Sequence, residues 1–295
     1  MQKTTQDQLL TLTLLDGQVR VLICDTTLMV EEARRIHGLS HTATAALGRL
    51  LTVGSMMGAM LKGKGESVAL TVKGDGPLGQ MVAVAQSDAS VKGYAVNPGV
   101  ELPLNAKGKL DVGGAVGAGK LTVVRDMGFG EPYVSQVDLV SGEIGEDFAY
   151  YFTASEQTPS LVSVGVRVKE EVVASGGMII QTMPGCGEAA LILLEMRTPD
   201  YARLSAAIEG GAVLDALCEE YFEGMEPKVL GRVTPEYHCD CSLERIERAL
   251  VALGSDEIED MIAKQGGAHV TCQFCNREFT LDPEQLRALF DRREA

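Results

Sequence analysis

The chain has 295 residues, 45% of them hydrophobic and 5% aromatic, with 33 glycines and no tryptophan; it is long enough for two domains and a sizeable core, and this composition excludes low-complexity and disorder-dominated classes. Lys and Arg number 26 against 41 Asp and Glu, and the resulting formal charge of -15 disfavours nucleic acid as a partner, because most of the surface repels phosphate.

In chain order, MQKTTQDQLL lacks a basic patch followed by an apolar core and does not read as a signal peptide. TLTLL at 11–15 and VRVLIC at 19–24, with Asp16-Gly17 between them, predict a β-hairpin. Leu28, Met29, Ala33 and Ile36 recur at helical spacing, and the small and apolar residues from His41 to Leu61 predict a second, largely buried helix. The run Leu47 to Leu61 is interrupted by Arg49 and is shorter than the roughly 18 residues a membrane span needs. The reading is a soluble, cytoplasmic protein with no membrane partner, whose thiols stay reduced.

From Ser67 to Val168 the period is two, in VALTVK, QMVAVA, VKGYAV, KLTVVR, YVSQVDLV and LVSVGVRV; this predicts an antiparallel sheet of six or more strands, with one helix at Gly145 to Gln157. After Gly176-Gly177 and Pro184-Gly185 the pattern turns helical, with Leu191, Leu194 and Met196, then Leu204 and Ile208, then Leu214, Leu217 and Phe222, broken by Pro199 and Gly210-Gly211. Short helices so interrupted suit a linker. From about Arg232 a third block begins, with helices near Ser242 to Leu253 and Asp256 to Lys264, a hairpin around the last cysteine pair, and a helix after Asp282. Its eight Lys and Arg against thirteen Asp and Glu make it acidic as well.

Several motifs read as ordinary structure. GDGPLG at 74–79 is followed by the period-two QMVAVA, so it is a hairpin turn and not a dinucleotide loop. GAVGAGKL at 114–121 carries Leu121 where a phosphate-binding loop needs a hydroxyl for Mg²⁺, which speaks against ATP. His37 and His41 are four apart, but Gly38 and Ser40 break the helix between them, and no metal is assigned to them. Cys24 and Cys218 sit in apolar runs as small buried hydrophobes, while Cys186 lies between glycines with its reactivity open.

The other four cysteines form two close pairs, Cys239 and Cys241 in YHCDCS and Cys272 and Cys275 in CQFC. In a reducing compartment such pairs point to metal or redox chemistry, and CxC, thirty residues, CxxC fits one Zn²⁺ held tetrahedrally by four thiolates. The bland reading is a metal that staples a tail of about 60 residues, too small to fold readily on core burial alone. The same site suits a switch: zinc-bound thiolates are the form oxidants attack, the metal closes a long loop and supplies on the order of 10 kcal/mol of folding free energy, and disulfides within each pair would close only short loops. Four cysteines allow three pairings, among which the sequence alone does not choose, although proximity favours neighbours. Two alternatives from other classes are a constitutive zinc-ribbon protein that binds nucleic acid or the ribosome, and a thiol oxidoreductase acting through CQFC.

YHCDCSLERI and CQFCNREF resemble the zinc-ligand segments of the heat-shock-protein-33 family of redox-regulated holdase chaperones. ALGRLLTVGSMMGAMLKG resembles that family's buried helix, and GDGPLG, GYAVNPG and SGEIGEDFAYYFTASEQTPS its sheet domain, so the likeness runs nearly end to end. The resemblance implies an α+β fold: an N-terminal sheet domain with packed helices over 1–177 for client binding and dimerisation, a helical linker over 178–231, and a small C-terminal zinc-binding redox-switch domain over 232–295. It implies Zn²⁺ on Cys239, Cys241, Cys272 and Cys275 in an inactive reduced state, and disulfides joining Cys239 with Cys241 and Cys272 with Cys275 once zinc is lost. It also implies an ATP-independent, non-enzymatic, cytoplasmic chaperone for unfolding proteins that forms homodimers when activated.

Overall fold

The computed structural model describes residues 6–291. Met1–Thr5, part of the stretch read for a leader, and the last four residues of the 232–295 block lie outside the described residues. The chain divides between His238 and Cys239 into two compact units.

The elements of the first unit are β1 (Gln8–Leu14), a 3-10 turn at Leu15–Gly17, β2 (Val19–Asp25), α1 (Thr27–His37), α2 (His41–Ala59), β3 (Ser67–Gly74), β4 (Gln80–Gln86), β5 (Ser90–Ala95), α3 (Val112–Val116), β6 (Gly119–Asp126), β7 (Tyr133–Asp138), α4 (Gly145–Ala154), β8 (Ser160–Val168) and β9 (Val172–Thr182). Four short helices follow, α5 (Glu188–Met196), α6 (Thr198–Tyr201), α7 (Leu204–Glu209) and α8 (Leu214–Tyr221), and then β10 (Lys228–Val233) and β11 (Glu236–Tyr237). One sheet has the order β10-β1-β2-β9-β8, the other β11-β5-β4-β3-β6-β7. Every pairing is antiparallel except that of β11 with β5.

Helix α2 is packed on both sheets and fills the core between them. Its alanines, glycines and Leu47, Leu50 and Leu51 are buried, and small residues let the strands come close: a β-carbon added at Gly58 would lie 2.4 Å from the Gln86 carbonyl oxygen. Ser40 caps the helix by accepting the Ala43 N–H at 3.2 Å. The central strands β2 and β9 of the five-stranded sheet are buried on both faces, which explains why β2 reads as a nearly continuous apolar run. Leu9, Leu22 and Cys24 face the α2 core, whereas Leu10, Leu12, Leu14, Val21 and Ile23 face a second core built with Tyr201, Leu217 and Phe222 of the segment that follows β9.

Two sequence expectations are corrected. LVSVGVRV is not part of the sheet that contains β3 to β7; as β8 it borders the other one. The helical pattern begins at Glu188, after Pro184-Gly185 as expected, but β9 runs through Gly176-Gly177 to Thr182, so a division at 177 cuts this strand. The pair serves close packing: a β-carbon at Gly176 would lie 2.5 Å from the Cys24 carbonyl oxygen, and one at Gly177 2.6 Å from the Val164 side chain. Likewise a division at 231 falls inside β10, whose six residues are all exposed and carry no periodic signal.

The expected helix at 145 is α4, and the odd sequence before it has a local cause. The buried Asp147 carboxylate accepts the backbone N–H groups of Val140 at 2.7 Å, Ser141 at 3.0 Å, Gly142 at 3.3 Å and Ile144 at 3.0 Å, while Ile144 takes a positive φ of 63° to let the loop wrap it. Asp147→Asn replaces this acceptor with an amide whose NH₂ opposes the same donors. Chemical denaturation should show a loss of about 3 kcal/mol.

At the start of α1 the Asp7 carboxylate accepts the N–H groups of Leu28 at 2.9 Å and Met29 at 2.7 Å. Burial pushes its pKa from 3.8 up to about 7, with Asp25 adding in the same direction and the two amides opposing. The native state therefore holds a proton that the unfolded chain has already released, so this group's contribution is full below about pH 4 and is lost as pH rises towards 7. The stability of the first unit should fall across that window by at most on the order of 4 kcal/mol. Denaturation midpoints of Asp7→Asn should be flatter between pH 5 and 8 than those of the parent.

Candidate metal centre

The second unit contains α9 (Leu243–Leu253), α10 (Ser255–Gln265), β12 (Ala268–Thr271), β13 (Glu278–Leu281) and α11 (Pro283–Asp291). Its core is small, made of buried Leu250, Ile258, Ala268, Leu281, Leu286 and Leu289. Cys239 and Cys241 lie in the extended segment before α9. Ser242 caps that helix through the Arg245 N–H at 3.3 Å, and Arg245 pairs with Asp240 at 2.5 Å, so the intervening residue of the CxC pair is fixed to the first helical turn.

Cys272 and Cys275 occupy the turn of the β12–β13 hairpin. The Cys272 N–H donates to the Arg277 carbonyl at 2.9 Å, and the Asn276 N–H donates to the Cys272 carbonyl at 2.8 Å. Asn276 adopts φ 55°, a left-handed conformation that asparagine tolerates, and this lets the chain fold back at once. CQFC is thus a hairpin turn and not the first turn of a helix, the placement a thioredoxin-like active pair requires.

These local structures bring all four sulfurs within 4.8 Å of one another, with Cys239 Sγ 3.7 Å from Cys272 Sγ and Cys241 Sγ 3.3 Å from Cys275 Sγ. Four thiolates at about 2.3 Å from a tetrahedral zinc ion stand about 3.8 Å apart, so the gap among these sulfurs has the size of a zinc ion and the all-sulfur donor set matches that metal. All four cysteines are half-buried. Burial pushes the Cys239 and Cys241 thiols up. Burial acts in the same direction on Cys275, but the Arg277 backbone N–H and the other three sulfurs outweigh it and hold that thiol below its usual range.

The remaining candidates are dispersed. His37 Nε2 meets the Tyr237 hydroxyl at 2.9 Å, while His41 Nε2 donates to the Lys169 carbonyl at 2.9 Å, so the two histidines serve different partners. Cys24 is buried and its thiol is pushed up by burial; Cys218 is buried and pushed up to about 12, again by burial first. Cys186 is half-buried. GDGPLG spans the turn between β3 and β4, and GAVGAGKL runs through α3 into β6. Sequence reading did not single out Asn276 or Arg277, although Asn directly after a CxxC pair is a turn signal.

A family model described as Hsp33 protein matches residues 7–282. The chain is 43% identical over 289 residues to the 33 kDa chaperonin of Clostridium beijerinckii, covering 97% of this chain and 99% of that protein. It is 42% identical to the 33 kDa chaperonin of Clostridium acetobutylicum, with 98% of each chain covered. The crystal structure of the 33 kDa chaperonin of Thermotoga maritima, a heat shock protein 33 homolog, superposes with a TM-score of 0.89 at 39% identity, covering 99% of both chains.

Because the second unit's core is small, with six buried apolar side chains among the described residues, metal removal should unfold it. Chelation of the reduced, zinc-loaded protein is expected to abolish hydrogen-exchange protection across residues 243–281 while β3, β4 and β6 stay protected. Cys272→Ser should weaken zinc binding at least about 100-fold in a competition titration.

Proposed function

The chain belongs to the Hsp33 protein family, and we propose that it is a redox-regulated, ATP-independent cytoplasmic chaperone that holds unfolding proteins during oxidative stress. The observation that supports this reading most directly is the four-sulfur cluster in a unit with a minimal apolar core. Cys239, Cys241, Cys272 and Cys275 hold zinc in the reduced, inactive state. When bound, the metal keeps the four sulfurs as thiolates and ties residue 239 to residue 275.

Half-buried sulfurs remain within reach of small oxidants. Cys239 couples with Cys241 and Cys272 with Cys275. Each coupling removes two electrons from a pair of thiolates; with a peroxide as oxidant, the O–O bond breaks, two protons are taken up and two waters leave as the S–S bond forms. The long-range tie is thereby exchanged for two local ones, zinc is released, and six buried side chains do not suffice to hold the fold.

The client surface is the outer face of the five-stranded sheet, where Leu10, Leu12, Leu14, Val21 and Ile23 lie under the helices α5 to α8 at 188–221. That cover is made of short helices, and it already exposes Ile192, Met196 and Val213. When the segment loosens, this apolar area becomes a docking site for the nonpolar stretches of unfolding proteins. Activated molecules pair as homodimers. The chaperone makes and breaks no bond in its client.

Zinc release, free thiol content and suppression of aggregation of guanidinium-unfolded citrate synthase should be measured on one sample during peroxide titration. The three are expected to move together, with two disulfides formed per zinc lost. Full suppression by protein that still holds zinc and four reduced thiols would overturn the proposal.

A further inference from the structure

The segment from Lys228 to Tyr237 completes both sheets. As β10 it forms an edge of the five-stranded sheet beside β1, and as β11 it forms an edge of the six-stranded sheet beside β5. Cys239 follows Tyr237 by two positions. One continuous strap therefore covers the main-chain hydrogen-bonding groups of two strands and leads directly into the thiol cluster.

The strap is held lightly. All six residues of β10 are exposed, and none contributes to an apolar core. Its pairing with β1 is interrupted by a register shift between Thr11 and Leu12. Beyond main-chain bonds, β10 is tied by exposed ion pairs, Lys228 with Asp16 at 2.8 Å and Arg232 with Asp215 at 2.5 Å, of the kind that contributes little. The β11 end is pinned by Tyr237, whose hydroxyl donates to the Gly93 carbonyl at 2.7 Å and meets His37 Nε2 at 2.9 Å, and by the His238 N–H on the Val91 carbonyl at 2.9 Å.

The strands beneath are anchored independently. Leu9, Leu10, Leu12 and Leu14 of β1 are fully buried, as is Val91 of β5, and both strands pair on their other side with β2 and β4. A strap that leaves does not take them with it, and their outer N–H and C=O groups are then unpaired.

We infer that the β1 and β5 edges are a second kind of client site, which takes an extended stretch of unfolding polypeptide by main-chain pairing once the strap has left. The inference rests on the chaperone reading above and adds to it how a client is recognised. The present occupants argue for the ligand: each is itself an extended strand, antiparallel at β1 and parallel at β5, so the two edges accept a chain in either direction. Pairing of this kind reads backbone and not side chains, which suits a partner defined only by being unfolded.

The test uses the full chain, reduced and peroxide-oxidised, with guanidinium-unfolded citrate synthase as client. Amide exchange in β1 and β5 is expected to speed up at least tenfold on oxidation and to return to the reduced-state rate when client is bound. The hexapeptide KVLGRV should compete with client at least fivefold better than the same peptide N-methylated at every peptide nitrogen, which keeps its side chains and loses its main-chain donors. Three results overturn the inference alone: edges that stay protected after oxidation without client, edges that open and remain open with client bound, and equal competition by the two peptides. Protection that returns without client as protein concentration rises overturns it in favour of a second copy at the edge. Oxidised protein that does not suppress aggregation overturns the chaperone reading together with this inference.

Discussion

The fold of the C-terminal unit depends on bringing four sulfurs to the corners of a metal-sized space. Six buried side chains cannot offset the conformational entropy of a segment of this length, so the unit needs a cross-link that reaches from its first residues to its hairpin. The donor set determines what kind of cross-link this is. Oxygen or nitrogen ligands would give a site indifferent to peroxide, whereas thiolates are the form that oxidants attack, which is what the proposed switch requires.

The N-terminal unit is built on the opposite principle. Its stability is spread over a helix buried between two sheets and over a sheet whose central strands are buried on both faces, with polar groups satisfied locally, as where the Asp147 carboxylate gathers four backbone amides. No single contact there has the leverage of the sulfur cluster. The two units thus divide the chain into a part that persists and a part whose fold is conditional.

Much of this was legible in the sequence, and the exceptions have physical causes. The hairpin at 11–24, the helices beginning near Thr27 and His41, and the order of elements in the tail follow from periodicity and turn residues, because each buries a defined face. The pair Gly176-Gly177 misled because glycine marks both turns and close strand packing, and only the neighbouring Cys24 carbonyl and Val164 side chain show which applies. The strand at 228–233 was invisible because its residues are all exposed and its partner is named by topology alone. The cysteine spacing nominated the four residues that the structure gathers; the separations that match a tetrahedral metal come from a capped helix and a tight hairpin turn, and short-range spacing encodes neither distance.

The seclusion of Cys24 and Cys218 has a further consequence. Both thiols are sealed in apolar surroundings and resist ionisation, so they stay out of disulfide exchange. Of the three cysteines outside the cluster, only Cys186 is half-buried, so these two add nothing to the scrambled pairings open to an oxidised chain. For the switch proposed above, that seclusion confines mispairing to a single extra sulfur when an oxidised tail is reduced again.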